Sequence, residues 1–504
     1  MNMCIVRCVG TLGFAVLLAT AASAAVNISN KPTQNMSCTS GVCTPTAKKA
    51  YLNVDDLTGM LAAGDVTIGS GSGALDIQVE APFSWTSAHR LTLDAGRSII
   101  VSAQVEVVGS GALTLMTKNA GELGRLSFVR KGRIRFWDLG SNLVINGRTY
   151  ALIGTVPQLA AQIATDPNGH YALAKDYDAS KEGILKNAPV QTTFNGRLEG
   201  LGHAISNLSM RPPHLNRSLG LFLNIGTGGS ITNLSLLNVY LTTNPGYVGG
   251  LTAQNYGKIS DVQVTGNIYG GGQIEGAGGI AGENFGTIIR ARANVSVFVS
   301  DKGFTHAGGG IAGQNYGTIQ YSSAEGSVGG GCCADNEADN YLGGLVGENG
   351  GAIEFSYATA DTYGADLDTG GGLTGLNSGN VINSYATGAN NGDTGSCAGG
   401  LMGANYGTAA DAYATGVVSP GGGLICHDFA AAGSLSATYW DMDTSGITDP
   451  SQGAANVAND PGITGLTDAQ LKSGLPAGFD TTIWGHDPTI NNGYPYLLAN
   501  PPRK

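Results

Sequence analysis

Two groups of acidic residues have the composition that calcium binding or glycan chemistry requires. Each group holds three carboxylates in a short segment: Asp335, Glu337 and Asp339, then Asp361, Asp366 and Asp368. Calcium is bound by carboxylate oxygens, and glycosidases use a pair of carboxylates for acid–base catalysis. Polysaccharide lyases also need a basic side chain, and neither segment contains Lys or Arg. We therefore favour solvated loop charge, with calcium at these loops as the alternative.

Cysteines form the second set of reactive side chains. Six follow the N-terminal leader described below: Cys38, Cys43, Cys332, Cys333, Cys397 and Cys426. Cys38 and Cys43 flank four residues, which favours a local disulfide. The adjacent Cys332 and Cys333 could bridge to either of the remaining two. No C-x-x-C pair is present and no His has ligand spacing to these thiols, so the pattern favours structural disulfides over a metal site. The sequence does not determine which cysteines pair.

Other catalytic signatures are weak. Seven histidines are scattered along the chain without a readable triad: His89, His170, His203, His214, His306, His427 and His486. The segments 308–313 and 370–375 match G-x-G-x-x-G, but no βαβ unit surrounds them to hold a pyrophosphate. The sequence therefore predicts no catalytic residue, no cofactor and no metal ligand, and a protein that is not an enzyme.

One basic stretch, residues 125–148, offers a surface for anions. Arg133 and Arg135 alternate with apolar residues, which is the period of a strand with one buried face. An exposed strand face explains this charge without a ligand. The alternative partners are an anionic glycan or the acidic loops of the chain itself.

Composition limits the class of protein. The 504 residues include 80 Gly and only 12% charged side chains, while 42% are hydrophobic. This apolar content argues against a disordered polyelectrolyte, and the absence of a Gly-X-Y period excludes collagen. A formal charge of −11 argues against a nucleic-acid binder.

The first residues have the features of an export signal. Arg7 precedes an apolar run from Leu12 to Ala22, and Ala22-Ser23-Ala24 fits an A-x-A cleavage site. The run is too short to span a membrane, and no later segment is apolar for long enough. We predict a secreted chain without an integral membrane segment, located outside the cell, at its surface or in the periplasm, with its secretion partner unknown.

A repeat dominates the second half of the chain. Its unit opens with a Gly-Gly pair, whose first glycines are Gly249, Gly278, Gly309, Gly343, Gly371, Gly399 and Gly422. Leu or Ile follows each pair. Asn stands five residues after the pair in six units, with Gly two residues further on. The seventh copy is degenerate, with Cys426 and Asp428 in place of Gly and Asn.

A period of this length is typical of a stacked array, and the short, Gly-interrupted strands exclude a helical solenoid. We predict an all-β coil of parallel strands in which like positions stack about 4.8 Å apart. The aliphatic residue after each Gly-Gly pair should point inward. The Asn side chains should pass hydrogen bonds from layer to layer, and the variable segments should leave on one side as loops.

The unit Gly-Gly-Leu-x-Gly-x-Asn-x-Gly-x-Ile, followed by Ser-Tyr-Ala-Thr-Gly, resembles the GLUG motif of bacterial surface proteins similar to filamentous haemagglutinin. Segments 91–99 and 111–115 resemble the shaft of that family, and 143–153 resembles the segment that precedes the motif. Segments 439–441 and 492–497 resemble its closing part. The resemblance implies a right-handed parallel β-helix on or outside the cell, commonly linked to adhesion.

The patterns divide the chain into six segments. These are a signal peptide (1–24), a Cys-containing N-terminal segment (25–50), an N-terminal β-helical shaft (51–149), a connector with a short helix (150–215), the GLUG-repeat β-helix (216–435) and a C-terminal capping segment (436–504).

Two short capping helices are predicted. The first has Thr155 as its cap and Pro157 in its first turn, with Leu159 and Ile163 one turn apart. The second covers residues 467–473. We expect four aromatic residues to pack the small C-terminal cap: Trp440, Trp484, Tyr494 and Tyr496.

The leading functional hypothesis is an exported, non-enzymatic, adhesin-like or surface scaffold protein. Its rigid core would present loops in a row for weak multivalent binding to host-cell or matrix glycans or proteins. One alternative is a carbohydrate-active β-helix enzyme, a polysaccharide lyase or glycosidase. The other is a structural spacer of a larger exported assembly. Nucleic acid is not an expected partner.

Overall fold

A computed structural model describes residues 24–71, 74–117, 124–212, 218–243, 246–271, 274–300, 306–331, 340–365, 368–393 and 396–502. The chain is all-β, and its parallel strands stack into a β-solenoid of about 15 turns with a few short helices. This confirms the predicted parallel solenoid, while its right-handed sense stays a prediction. In the described part, no helix is long and apolar enough to cross a membrane.

Several predicted features lie outside the described residues. They are the signal peptide up to Ser23, both adjacent cysteines and four of the acidic residues: Cys332, Cys333, Asp335, Glu337, Asp339 and Asp366.

The solenoid has two sections, called the first and second solenoid below. The first solenoid extends from Ala25 to Ile145 and has three parallel sheets. The strands of the first sheet, in spatial order, are Lys49–Asn53, Ala25–Ser29, Asp76–Val79, Ile99–Val101 and Leu126–Phe128. The second holds Phe83–Trp85, Gln104–Val107 and Arg133–Phe136. The third holds Val42–Pro45, Val66–Gly69, Arg90–Ala95, Ala112–Thr117 and Leu143–Ile145. Met36–Thr39 pairs antiparallel with Val42–Pro45.

Segment 25–50 therefore contributes strands to the first solenoid, because Ala25–Ser29 lies between Lys49–Asn53 and Asp76–Val79 in one sheet. Period-2 alternation explains these strands: in Arg90–Ala95 every second side chain is buried. A helix that the patterns did not predict, α1 (Val54–Ala63), follows Asn53, whose side chain accepts a hydrogen bond from the Asp55 amide.

The chain then reverses direction at a hairpin. Strand Arg148–Ile153 pairs antiparallel with Leu143–Ile145, and Asn146 and Gly147 make the turn with φ values of 49° and 77°. An Asn-Gly turn with two positive φ angles is the commonest tight hairpin connection. Helix α2 (Val156–Thr165) follows with the predicted cap, since the Thr155 side chain accepts from the Gln158 amide.

The second solenoid also has three parallel sheets. The first row of its long sheet is Arg148–Ile153, His170–Leu173, Arg197–Glu199, Ser230–Thr232, Lys258–Ser260, Thr287–Ile289, Thr318–Gln320, Ala352–Glu354, Asn380–Ala386, Thr408–Ala414, Leu435–Asp441 and Ile463–Leu466. The second row is Tyr177–Asp178, Ile184–Leu185, Ala204–Ser206, Ser209–Met210, Ser235–Thr243, Gln263–Gly270, Arg292–Ser300, Ser323–Gly331, Tyr357–Ala358, Asp361–Gly364, Asn390–Gly392 and Val418–Ser419.

Two further sheets complete each layer of the repeat. The glycine sheet, which ends at the Gly-Gly pairs, holds Gly246–Gly249, Ile274–Gly278, Ala307–Gly309, Tyr341–Gly343, Thr369–Gly371, Cys397–Gly399 and Gly421–Gly422. The asparagine sheet holds Phe222–Ile225, Thr252–Asn255, Ala281–Asn284, Ala312–Asn315, Val346–Asn349, Thr374–Asn377, Met402–Asn405 and Ile425–Asp428.

The aliphatic residues after the Gly-Gly pairs form one buried column, as predicted. Each is fully buried: Leu251, Ile280, Ile311, Leu345, Leu373, Leu401 and Leu424. Backbone hydrogen bonds join neighbours, for example from the Leu345 amide to the Leu373 carbonyl at 2.9 Å. All seven residues belong to the main hydrophobic core of the second solenoid.

Glycine in the asparagine sheet allows the two sheets to touch backbone to backbone. A Cβ on Gly313 would lie 2.5 Å from the amide nitrogen of Ala277 in the glycine sheet, and one on Gly375 would lie 2.5 Å from that of Leu342. A side chain at these positions would meet the facing sheet, which explains why five successive layers keep Gly here: Gly282, Gly313, Gly347, Gly375 and Gly403.

The C-terminal segment lies along the flank of the second solenoid. It contains α3 (Met442–Ser445), α4 (Asp468–Leu471) and a hairpin of Trp484–Gly485 with Tyr496–Leu497. This segment also contains a 3₁₀ turn, Asn491–Gly493, and a second such turn, Ala179–Glu182, lies near the start of the second solenoid. The segment covers a buried column of stacked tyrosines: Tyr357, Tyr385 and Tyr413.

The four aromatic residues expected in the cap separate into two places. Trp484 packs on the tyrosine column and donates to Asn383 Oδ1 at 3.0 Å. Tyr494 belongs to the same cluster, and Tyr496 pairs with Gly485 in the hairpin. Trp440 instead belongs to the main core of the solenoid.

Candidate binding surface

A ladder of buried asparagines fixes the spacing of the layers in the second solenoid. Each Nδ2 donates to the Oδ1 of the next layer, at 2.7–2.8 Å, along Asn255, Asn284, Asn315, Asn349, Asn377 and Asn405. The last donates to Asp428 at 2.9 Å. All six asparagines are fully buried. A carboxylate only accepts, so Asp428 is a natural end of the ladder.

The residue after each ladder position projects outward, and in five layers it is aromatic. We call these residues the aromatic row: Tyr256, Phe285, Tyr316, Tyr406 and Phe429. They are between 39% and 57% exposed. The first three rings stack at centroid distances of 4.9 and 5.4 Å, and the last two at 5.0 Å. The ladder thus holds large apolar side chains in line at the surface.

Small residues break the row into two groups. Gly350 and Ser378 occupy the two intervening layers. A Cβ on Gly350 would lie 2.8 Å from Cδ1 of Tyr316, so the ring of Tyr316 lies over this glycine. The break ends the first stack at Tyr316, whose ring lies over the Gly350 backbone and not on a further aromatic ring.

A second row of polar side chains runs beside the aromatic row. Its first four members, which we call the amide–carboxylate row, are Gln254, Glu283, Gln314 and Glu348. Gln254 donates to Glu283 at 2.6 Å, and Gln314 donates to Glu348 at 3.1 Å. The Tyr316 hydroxyl donates to Glu348 at 3.2 Å. Burial, together with the Glu348 charge, raises the pKa of Tyr316 to about 12.

Glu283 is the most buried carboxylate of this row, and burial raises its pKa. The hydroxyl of Tyr247 contacts Glu283 at 3.3 Å, and it also interacts with Glu275. Burial and both carboxylates raise the pKa of Tyr247. Among the described residues, no Lys or Arg hydrogen-bonds to either row. The surface therefore offers aromatic rings and hydrogen-bond acceptors side by side, a combination suited to hydroxylated, partly apolar ligands.

Two of the acidic residues singled out in the sequence lie in the described part of the chain, Asp361 and Asp368. Asp361 is exposed and accepts from the Ala389 amide. Asp368 is 2% exposed and accepts from Asn340 Nδ2 at 2.8 Å. These contacts give both carboxylates a structural role.

The basic strand is arranged as predicted, with Ile134 and Phe136 buried and the two arginines on the outer face. Arg133 pairs with Asp176 at 2.7 Å, and the Arg135 guanidinium lies 4.0 Å from the ring centroid of Trp137. The partners of both arginines thus come from the chain itself.

A buried polar network joins the two solenoids. His203 is 1% exposed, with Nδ1 3.0 Å from Asp176 and Nε2 2.7 Å from the carbonyl of Ile134. Burial opposes ionisation of Asp176, but the hydrogen bonds from His203 and the Ala204 amide outweigh it and lower its pKa to about 2. Nearby, burial raises the pKa of Glu199 to about 7, although Thr232 donates to it at 2.7 Å.

Two disulfides are present in the described residues. Cys38–Cys43 is the local bridge that the sequence favoured, and Cys397 pairs with Cys426. His427 lies beside the second bridge, with Nε2 3.7 Å from Sγ of Cys397. The cysteine spacing leaves the partner of Cys397 open. The expectation that no His has ligand spacing to these thiols is wrong at His427, which directly follows Cys426 and lies beside the bridge.

The aromatic row was also missed, although a signal was present. An aromatic residue stands between the Asn and Gly of the unit at Tyr256, Phe285, Tyr316 and Tyr406. Like positions of a solenoid stack, so a repeated surface residue predicts a row.

No family model matches the chain. Halomucin of Haloquadratum walsbyi is 39% identical over 90 residues, which are 18% of this chain and 1% of Halomucin. A protein provisionally named a Gly-rich membrane protein, from Evansella cellulosilytica, is 35% identical over 106 residues, 19% of this chain and 12% of that protein. The chain thus spans a small part of the curated relatives it matches.

Among solved structures, a Bacteroides ovatus protein provisionally described as an immunoglobulin A1 protease is similar at 18% identity and a TM-score of 0.32. The alignment covers 70% of this chain and 93% of that chain. At this score the likeness supports no further conclusion.

Proposed function

We propose that the chain is an exported, non-enzymatic, adhesin-like scaffold whose aromatic row binds glycans or glycan-bearing proteins of a surface or matrix. The observation that carries the proposal is the stack of Tyr256, Phe285 and Tyr316, exposed and in line. Large exposed apolar rows mark interaction sites, and tyrosine supplies contact area at low entropic cost. This moves the proposed contact surface from the loops to the repeat itself.

The aromatic row holds its rings at a fixed spacing, which strengthens binding that depends on several weak contacts. Each layer is fixed by the asparagine ladder, so a ligand with its own repeat can engage several rings without ordering the protein first. Several weak contacts of this kind sum by avidity. The export signal predicted from the sequence and a relative named as a membrane protein support a location at the cell envelope or beyond. The resemblance to GLUG-motif surface proteins supports the same proposal.

The experiment compares the secreted chain with a triple variant, Tyr256→Ser, Phe285→Ser and Tyr316→Ser, on a glycan array and on immobilised matrix proteins. We expect the variant to lose at least tenfold in apparent affinity. The matched control replaces three exposed tyrosines of the long sheet, Tyr240, Tyr269 and Tyr363, with Ser. Equal binding by the triple variant and the parent would contradict the proposal, and no binding by the parent to any ligand would favour the spacer.

A carbohydrate-active enzyme is the second candidate, because Tyr247 brings Glu275 and Glu283 to one hydroxyl group. Glycosidases need two carboxylates on opposite sides of a bond, one of them with a raised pKa. The test is release of reducing ends from a panel of polysaccharides. Activity that Glu283→Gln and Glu275→Gln each abolish would establish that the protein is an enzyme. Absence of activity in the parent would favour the scaffold proposal.

A further inference from the structure

Three ligand atoms that favour soft metal ions converge where the sixth and seventh units of the repeat meet in the second solenoid. They belong to Cys397, Cys426 and His427, and all lie within 4.8 Å of one another. Cys426 is fully buried, whereas Cys397 and His427 are half-buried. The cysteines are joined as a disulfide, and their Cα atoms are 5.8 Å apart.

The cluster arises because this layer departs from the repeat at neighbouring positions. Met402 pairs with Ile425 and Ala404 with His427, which places Cys426 opposite Gly403. The equivalent residue is also Gly in the three preceding layers, at Gly313, Gly347 and Gly375.

The geometry of the glycine position shows where the Cys426 side chain must point. A Cβ on Gly403 would lie 2.6 Å from Cγ2 of Thr369 in the glycine sheet. Thr369 pairs with Cys397 of the next layer. A side chain introduced one layer after Gly403 therefore meets residue 397, and both positions are cysteine. His427 is the next residue in the strand and occupies the position that Ala404 has in the preceding layer. It lies beside both cysteines.

We propose that this cluster is a redox-gated zinc site, closed by the Cys397–Cys426 disulfide and opened by a dithiol reductant. In the opening step a reductant thiolate attacks Sγ of Cys397, the more accessible sulfur, and the sulfur–sulfur bond to Cys426 breaks. The second thiol of the reductant then displaces Cys397 and forms the reductant's own disulfide. Both cysteines end as thiols, two electrons having passed from the dithiol to the protein.

Zinc binding follows with the loss of one proton from each thiol to solvent. Thiolate and imidazole are the ligands that Zn²⁺ prefers, and two sulfurs with Nε2 of His427 give three protein ligands. The fourth position stays open for water or a ligand atom, as in zinc centres that act on bound molecules. The oxidised chain has no free thiolate at this place and holds no zinc there.

The test uses the full chain with its six other cysteines replaced by Ser, so that Cys397 and Cys426 are the only thiols. One sample is reduced with dithiothreitol and desalted without oxygen, and a second stays oxidised. Both are dialysed against ZnCl₂ and their zinc is counted by mass spectrometry. We expect one zinc per reduced chain and none per oxidised chain.

Two variants decide which residues hold the ion. His427→Ala should weaken zinc binding at least tenfold, whereas His486→Ala, a histidine that contacts the Lys472 carbonyl instead, should not change it. Circular dichroism shows whether the reduced chain keeps its β structure. Absence of zinc in the reduced parent, equal affinity of His427→Ala, or zinc uptake only by unfolded chain would each overturn the proposal. The glycan-binding experiment is independent of all three.

Discussion

Asn315 donates its Nδ2 hydrogen to Oδ1 of Asn349 at 2.8 Å, although the two residues are 34 positions apart, the longest interval in the ladder. Intervals of 28 residues elsewhere give the same distance. Extra residues between layers are therefore accommodated outside the paired strands. The register of the strands, and with it the line of surface side chains, does not depend on the length of the connecting segment.

The ladder should contribute strongly to stability because it is buried. Asn315→Ala removes a donor to Asn349 and an acceptor for Asn284, and should lower the free energy of unfolding by about 2–6 kcal/mol, since each of the two buried groups left unpaired costs about 1–3 kcal/mol. Guanidinium denaturation measures this. Asn294→Ala is the control, because Asn294 also bonds to the next layer, at Glu325, but is exposed. Similar losses in both variants would argue against a buried ladder.

The aliphatic column should respond as a close-packed core. Leu345→Ala or Leu373→Ala leaves a cavity in a column that is fully buried, and should cost about 2–5 kcal/mol in denaturation experiments. Tyr406→Ala, in the exposed aromatic row, should cost much less. Losses of the same size at all three positions would contradict the inward orientation of the leucines.

Two Gly→Ala replacements should change the stability of the protein in opposite directions. Gly313→Ala puts a Cβ 2.5 Å from the Ala277 amide nitrogen, so the sheets must separate, at a cost of about 1–3 kcal/mol. Gly59→Ala lies in the exposed interior of α1 with open space around it, and should stabilise by about 0.5–1 kcal/mol because Gly is a poor helix former. The thermal unfolding midpoints of the two variants test this contrast. A neutral Gly313→Ala would disprove the backbone contact between the sheets.

The junction of the solenoids should weaken as pH rises through neutrality. Burial raises the pKa of Glu199 from 4.5 to about 7, so folding favours its protonated form. That stabilisation is fully present below about pH 4.5 and is lost as pH rises through about 7, a change of up to about 3 kcal/mol.

Glu199→Gln removes this titration and should flatten the difference in unfolding free energy between pH 5 and pH 8. Asp460, whose pKa burial and Asp428 raise to about 6, titrates in the same direction in both proteins, so their comparison isolates Glu199. An unchanged pH profile in the variant would show that Glu199 is not the group responsible.

The repeat could be predicted from the sequence because each layer has the same residue types in the same order. Gly-Gly, the aliphatic residue and Asn recur in one order, so their shared environment predicts the column and the ladder. The local cap of α2 at Thr155 was equally readable. The aromatic row was visible in the same repeat and required only that the exposed position be compared between layers.

The junction and the bends could not be read in this way. His203 and Ile134 meet across 69 residues of unrelated sequence, and no periodicity links them. Tyr321 and Phe355 both adopt φ of 50°, a conformation that bulky residues avoid. Asn383 has a similar positive φ at the equivalent position of a neighbouring layer. Tyr321 and Phe355 adopt this conformation because stacked layers must bend at the same place. Such positions are set by tertiary packing rather than by local preference.

Distance measurement between two spin labels tests the account most directly. Labels at Tyr256→Cys and Tyr406→Cys, in a chain whose native cysteines are Ser, lie five layers apart along one row. Five layers of about 4.8 Å predict a single narrow distribution centred near 24 Å in double electron–electron resonance. A broad distribution, or a mean unrelated to a whole number of layers, would contradict a rigid row of surface side chains.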